Sequence, residues 1–99
     1  MTDKNLCEKT RALLARGARL VDVRSHEEFL RGALRNAINL PLHLLGQAES
    51  LFAKDQPLVL YCASGRRSAM ARRILERAGY QQVIDAGAAH RLAACQASQ

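Results

Sequence analysis

The sequence predicts an α/β fold with a mainly parallel sheet. Three observations carry that prediction. Four short apolar runs, at residues 20–23, 37–40, 58–61 and 83–84, alternate with segments of helical periodicity. The helical segments before the first and last runs each close on a glycine, Gly17 and Gly79. No repeat, linker or low-complexity stretch interrupts the pattern, so residues 1–99 read as a single domain with one modest core.

The first helix opens at Thr2 or Asp3 and places Leu6, Thr10, Leu13 and Leu14 on one face. The run Leu20-Val21-Asp22-Val23 is a buried strand ending at Arg24. Ser25, with Glu28 three residues on, forms a capping-box pattern for a short helix that stops at Gly32. Ala37-Ile38-Asn39-Leu40 is a brief strand closed by Pro41. Helical turns are expected over 42–52, broken near Gly46. The strand Leu58-Val59-Leu60-Tyr61 runs into Cys62, and a helix is expected to begin at Ser68, with Ala71, Ile74, Leu75 and Ala78 apolar. A last strand at Val83-Ile84 precedes Gly87 and an alanine-rich helix over 88–97.

Ligands in such a sheet sit at the carboxyl ends of the strands. Asp22, Arg24 and Cys62 all fall at strand ends and are expected to share one crevice. The stretch Cys62-Ala63-Ser64-Gly65-Arg66-Arg67-Ser68 carries the chemistry. A strand, a tight loop and a helix N-terminus gather backbone N–H groups around a point and favour an anion there. A cysteine at that point ionises easily, so Cys62 is the expected nucleophile. Residues Ala63, Ser64, Gly65, Arg66, Arg67 and Ser68 are the expected cradle, with the two arginines as its outer positive field. Ser68 caps the helix or donates to the sulfur.

Charge and composition narrow the partners. The net charge is +6, and twelve of the fifteen cationic residues are arginine, whose planar fork suits oxyanions and acidic surfaces. No aromatic platform or zinc spacing supports nucleic-acid binding. No metal ligand set or cofactor motif is present. No apolar run nears the ~20 residues of a membrane span. The polar N-terminus lacks the order of a signal peptide, so a soluble, cytoplasmic protein is expected. Cys7, Cys62 and Cys95 are odd in number and widely spaced. That argues against a disulfide framework and for Cys7 and Cys95 as small buried hydrophobes. His26, His43 and His90 show no spacing to Cys62 that suggests a relay and are expected on the surface or in loops.

Taken together, Leu20-Val21-Asp22-Val23-Arg24-Ser25 with Glu27-Glu28-Phe29, Gly32 with Asn39 and Pro41, and Tyr61-Cys62 with Gly65-Arg66-Arg67-Ser68 resemble the rhodanese family. The resemblance covers about Leu20 to Gly87 and looks like a single-domain thiosulfate sulfurtransferase. It implies a three-layer α/β/α fold with a five-stranded parallel sheet. It also implies a persulfide on Cys62, loaded from an anionic donor such as thiosulfate and unloaded to cyanide, a thiol or an acceptor protein. Asp22 and Arg24 are implied to support the site, with Arg24 paired to Glu27 or Glu28. Two features depart from the family: the run after Gly32 lacks the usual His and Pro-Gly pair, and the segment around Gly87 lacks the usual Gly-Gly pair and Trp.

Two other readings compete. A cysteine phosphatase or arsenate reductase uses a related cradle in a Cys-x5-Arg pattern, which would place arginine where Ser68 stands. A sulfur-relay or binding module would use the same cysteine with a partner protein only.

Overall fold

A computed structural model of the chain describes residues 3–97. Its elements, in order, are α1 (Asp3–Ala15), β1 (Arg19–Asp22), α2 (His26–Leu30), β2 (Ile38–Asn39), a 3-10 helix (Leu42–Gln47), α3 (Ala48–Leu51), β3 (Leu58–Cys62), α4 (Arg66–Arg77), β4 (Val83–Ala88) and α5 (Ala89–Ala97). The strands form one sheet in the order β2-β1-β3-β4, with every neighbouring pair parallel.

Among the described residues the sheet has four strands rather than five. The residue pattern itself supplies four apolar runs; the fifth strand was implied by the resemblance alone. Residues ahead of β1 have helical spacing and no alternation, so they form α1 instead.

β3 is the axis of the fold because all five of its residues are buried. Alternation along it divides the core into two layers. Leu58, Leu60 and Cys62 face a cluster with Leu45, Ala48, Phe52, Ala71 and Leu75, under the 3-10 helix, α3 and α4. Val59 and Tyr61 face Leu20, Ala86, Leu92 and Cys95, with Leu6, Leu13 and Leu14 of α1 packed against them. Helices therefore cover both faces, which is the expected three-layer arrangement.

Local signals explain most element ends. α1 stops as expected at Gly17, where Gly17 N–H donates to Leu14 O and Ala18 N–H to Leu13 O. The expected Thr2 cap lies outside the described residues. Ser25 caps α2, and its capping box with Glu28 is complete. The altered turn after Gly32 is held by the Tyr61 hydroxyl, which accepts from Leu34 N–H at 3.1 Å. Asn36 supplies the left-handed residue of that turn, φ 65°.

α4 begins two residues earlier than the apolar pattern suggests, at Arg66 rather than Ser68. Its first three residues, Arg66, Arg67 and Ser68, are polar and give no apolar signal of it. β4 runs to Ala88, beyond the two apolar residues that signal it. The register shifts between Leu60 and Cys62, where Leu60 pairs Asp85 but Cys62 pairs Ala88. That irregularity brings Gly87 beside the loop after Cys62.

The structure pairs Cys7 of α1 with Cys95 of α5 in a disulfide, Cα–Cα 5.3 Å, and leaves Cys62 free. This corrects the reading of both as isolated hydrophobes. The packing of two terminal helices on one sheet face brings together positions 88 residues apart, which no spacing rule reveals. Among the described residues no helix is long and apolar enough to cross a membrane.

Candidate active site

Cys62 is the last residue of β3, and its side chain is fully buried against α4. Only residues 63–65 separate it from the helix. Gly65 occupies the N-cap position with φ 96°, a left-handed conformation that glycine adopts without strain. A Cβ there would stand 3.6 Å from Gly87 Cα, an ordinary van der Waals contact, so the left-handed backbone and not lack of space calls for glycine.

Gly65 has no side chain with which to cap α4. The cysteine sulfur takes that role. Cys62 Sγ accepts from Gly65 N–H at 3.0 Å and from Ser68 N–H at 3.3 Å. Ser68 is the third helical residue, whose N–H has no acceptor within the helix. Ser68 therefore does not cap the helix. Its hydroxyl sits 3.5 Å from Sγ and donates to Gly65 O at 3.2 Å. With the thiol ionised, that hydroxyl can turn to donate to sulfur.

Burial is the largest single influence on the Cys62 thiol and opposes ionisation. Hydrogen bonds from the Ser68 hydroxyl and from the backbone of Ser68, Gly65 and Ser64 together outweigh it, holding the thiol below its ordinary value. Replacing Ser68 with alanine removes one donor and leaves the backbone donors in place. Since a hydrogen bond to a charged group is worth about 1.5–3 kcal/mol, losing it should move the Cys62 titration upward. Thiolate absorbance against pH, with Cys7 and Cys95 oxidised, reads this directly; an unmoved titration would remove the hydroxyl from the account.

The two arginines of the loop part company. Successive helical residues point about 100° apart. Arg66 lines a cleft of about 690 Å³ together with Ala63, Ser64, Gly87, His90 and Arg91. Arg67 turns to the other side and lines a smaller hollow beside Ser25 and Leu42. There it makes a two-pronged ion pair with Glu28, at 2.6 and 3.0 Å. Arg67 hydrogen bonding, followed by that of the Ser25 backbone, lowers the Glu28 carboxyl to about 2. Both partners are part-exposed, Arg67 at 36 % and Glu28 at 28 %, so solvent limits the pair's stability to on the order of 1 kcal/mol. That contribution is present above the ordinary value of 4.5 and is lost as the pH falls towards 2. Paired with Glu28, Arg67 acts on Sγ as one end of a dipole rather than as a free cation.

Asp22 and Arg24 pair with each other, not with the acidic residues of α2. The fully buried Asp22 carboxylate accepts from Arg24 N–H at 2.9 Å, from Nε at 3.0 Å and from Nη2 at 2.7 Å. Arg24 Nη2 also donates to Gly32 O at 2.7 Å, tying the altered turn to β1. The Asp22 hydrogen bond raises the already high Arg24 value further. A structural ion pair was expected here; the partner assignment to Glu27 or Glu28 is corrected. Among the described residues neither Asp22 nor Arg24 is hydrogen-bonded to Cys62 or its loop.

Sequence reasoning gave no role to Asn39, whose side-chain amide donates to both Asp22 O and Arg24 O at 3.0 Å and so fixes the strand end. It also left out Arg91 and placed His90 simply at the surface. His90 is exposed, but both residues stand on the cleft wall because β4 continues to Ala88 and starts α5 there. An edge strand extended through polar Asp85 leaves no apolar signal to find.

Residues 6–87 match the rhodanese-like domain family model, and the chain belongs to the rhodanese family. A sulfurtransferase of Allochromatium vinosum is 39 % identical over 66 residues, covering 67 % of this chain and 62 % of that protein. A human thiosulfate:glutathione sulfurtransferase is 33 % identical over 96 residues, covering 82 % and 84 %. The structure of a rhodanese with anions from Escherichia coli superposes with a TM-score of 0.74 at 30 % identity, covering 78 % of this chain and 93 % of that one. The chain spans 54–65 % of the length of the first curated relatives it matches.

Proposed function

We propose that this chain, acting as one rhodanese-like domain over residues 1–99, is a thiosulfate sulfurtransferase that carries sulfane sulfur on Cys62. The observation that carries the reading is the sulfur standing in for the N-cap of α4, bonded by Gly65 N–H and Ser68 N–H. A thiolate held this way needs no general base. It attacks the outer sulfur of thiosulfate; the sulfur–sulfur bond of the donor breaks and its electron pair leaves with sulfite. The new Cys62–S–S⁻ carries the negative charge that the thiolate held.

Residues Ala63, Ser64, Gly65, Arg66, Arg67 and Ser68 form the cradle. The N–H groups of Arg66 and Arg67 lack acceptors within the helix, and Arg66 faces the cleft. One preorganised donor of this kind is worth on the order of 3 kcal/mol of barrier. Asp22 and Arg24 support the site through the strand end. Because the loop and not the sulfur lines the cleft, residues 63–65 must shift for donor and sulfur to meet. Cyanide or a thiol then collects the sulfur. The names of the human and Allochromatium relatives support sulfur transfer, and the human one's name supports a thiosulfate donor and a thiol acceptor.

The phosphatase reading loses ground because Ser68, not arginine, follows the five residues after Cys62, and it is buried. The cytoplasmic expectation rests on the polar N-terminus, and on reading the three widely spaced cysteines as fitting a reducing compartment rather than a disulfide framework. With Cys7 and Cys95 joined, that argument now bears on Cys62 alone, which must stay reduced to accept sulfur.

Mass spectrometry after thiosulfate treatment tests the proposal. One sulfur atom should be gained on the peptide containing Cys62 and lost again on adding cyanide. No gain, with phosphatase activity instead, would reverse it.

A further inference from the structure

α4 buries Ser68, Ala71 and Leu75 on one side. Directly opposite, Arg66, Met70, Arg73 and Arg77 follow i, i+4, i+7 and i+11 and are all exposed. This stripe begins at the cleft, whose wall includes Arg66, and runs along the helix for about 16 Å at 1.5 Å per residue. Arg66, Arg73 and Arg77 enter no ion pair among the described residues; the one acidic residue of α4, Glu76, lies off the stripe and pairs with Arg72. Met70 at 53 % exposure and Ile74 at 43 % put apolar surface within and beside the row of charges.

We propose that this face docks an acidic, thiol-bearing protein that collects sulfur from Cys62, an inference that rests on the sulfur-transfer reading and names its acceptor class. Thiosulfate or cyanide spans only the cleft and cannot touch Arg73 or Arg77. A protein surface can answer three unpaired guanidinium groups with carboxylates and cover Met70 and Ile74, an apolar centre within a charged rim. Nucleic acid is the poorer fit. Single strands seek exposed aromatic rings; Phe52, Tyr61 and Tyr80 are buried, and Phe29 is half-buried on α2, so α4 presents no ring. The transfer is balanced: the acceptor sulfur attacks the outer sulfur, the bond to Cys62 Sγ breaks, and its electron pair restores the Cys62 thiolate. The acceptor's proton ends on its new persulfide, with no net oxidation.

The probe is a synthetic helical peptide with glutamates spaced i, i+4, i+7 and i+11, one leucine among them and a cysteine at one end. Its twin carries glutamine for every glutamate. Persulfide-loaded protein should transfer sulfur to the acidic peptide with a kcat/KM about tenfold above the twin at low salt, and the gap should close as salt is raised. An Arg73→Glu/Arg77→Glu variant should lose the preference while its thiosulfate:cyanide transfer stays unchanged. Equal use of the two peptides, or a preference that survives the double variant, would overturn the proposal. So would a short single-stranded RNA that binds the stripe more tightly than the acidic peptide and is released by the same variant. If thiosulfate leaves no sulfur on Cys62, the functional reading fails instead. Fluorescence anisotropy of the labelled peptides, with and without the double variant, still reports on docking in that case.

Discussion

Replacing Cys62 with serine is expected to abolish thiosulfate:cyanide transfer, down to the uncatalysed background, with the fold intact. The argument has two halves. A serine oxygen cannot carry sulfane sulfur and is not ionised at neutral pH, so no other group in the cleft replaces the lost step. The same oxygen can still accept from Gly65 N–H and Ser68 N–H, so the start of α4 stays capped. Stability should then differ from the wild type in a pH-dependent way. Because the folded thiol ionises below its ordinary value of 9.0, its ionisation stabilises the native state fully above 9.0, and that contribution disappears as the pH falls through the folded value. The stability gap between wild type and variant should therefore widen with rising pH across that window. Activity assays together with urea titrations at several pH values check both halves. Residual transfer in the serine variant would sink the persulfide mechanism.

The place of that cysteine was legible in the sequence because the signals there are local. An apolar run that stops at Cys62, a glycine three residues on and a helical pattern beyond specify strand, turn and helix within a few residues. The Ser25–Glu28 capping box and the Gly17 stop were legible for the same reason. What stayed hidden depends on contacts between distant segments or on a side chain doing another's task. Arg67 meets Glu28 across 39 positions, so a charge read as part of the anion field is half neutralised. The early start of α4 is hidden because its cap is a sulfur from the preceding strand, and Gly65 at the N-cap has no capping side chain to mark the position. Arg24 turns back on Asp22 two residues away, a pairing no more evident from spacing than one with α2. The cleft wall at His90 and Arg91 follows from the β4 register shift, a property of the paired sheet and not of either strand alone.

The most distant of these contacts, Cys7–Cys95, carries the largest expected effect on stability. It closes a loop of 88 residues, nearly the whole chain. In the chain-entropy account a cross-link of that span restricts the unfolded state by about 4–5 kcal/mol. A small domain has only about 5–15 kcal/mol of net stability. Opening the bond in a Cys7→Ala/Cys95→Ala variant should therefore lower stability by roughly 3–5 kcal/mol. In a domain of this size each kcal/mol corresponds to about 4–8 °C in Tm. The loss should appear first at the two helices the bond joins. α1 and α5 cover the same sheet face, where Leu6, Leu13, Leu14 and Leu92 pack around Val59 and Tyr61, whereas β3 is buried between two layers. Amide exchange should thus accelerate in α1 and α5 well before it does in β3. Because the first turn of α5 carries His90 and Arg91 into the cleft, the loosened variant should also use thiosulfate less efficiently, with Cys62 still able to take up sulfur. Urea unfolding of a Cys62→Ser variant with and without a thiol reductant, so that no free thiol can exchange, measures the difference. A count of titratable thiols in denaturant gives none for the oxidised form and two for the reduced one. Identical urea midpoints with that count confirmed would mean that the helices are held by packing alone.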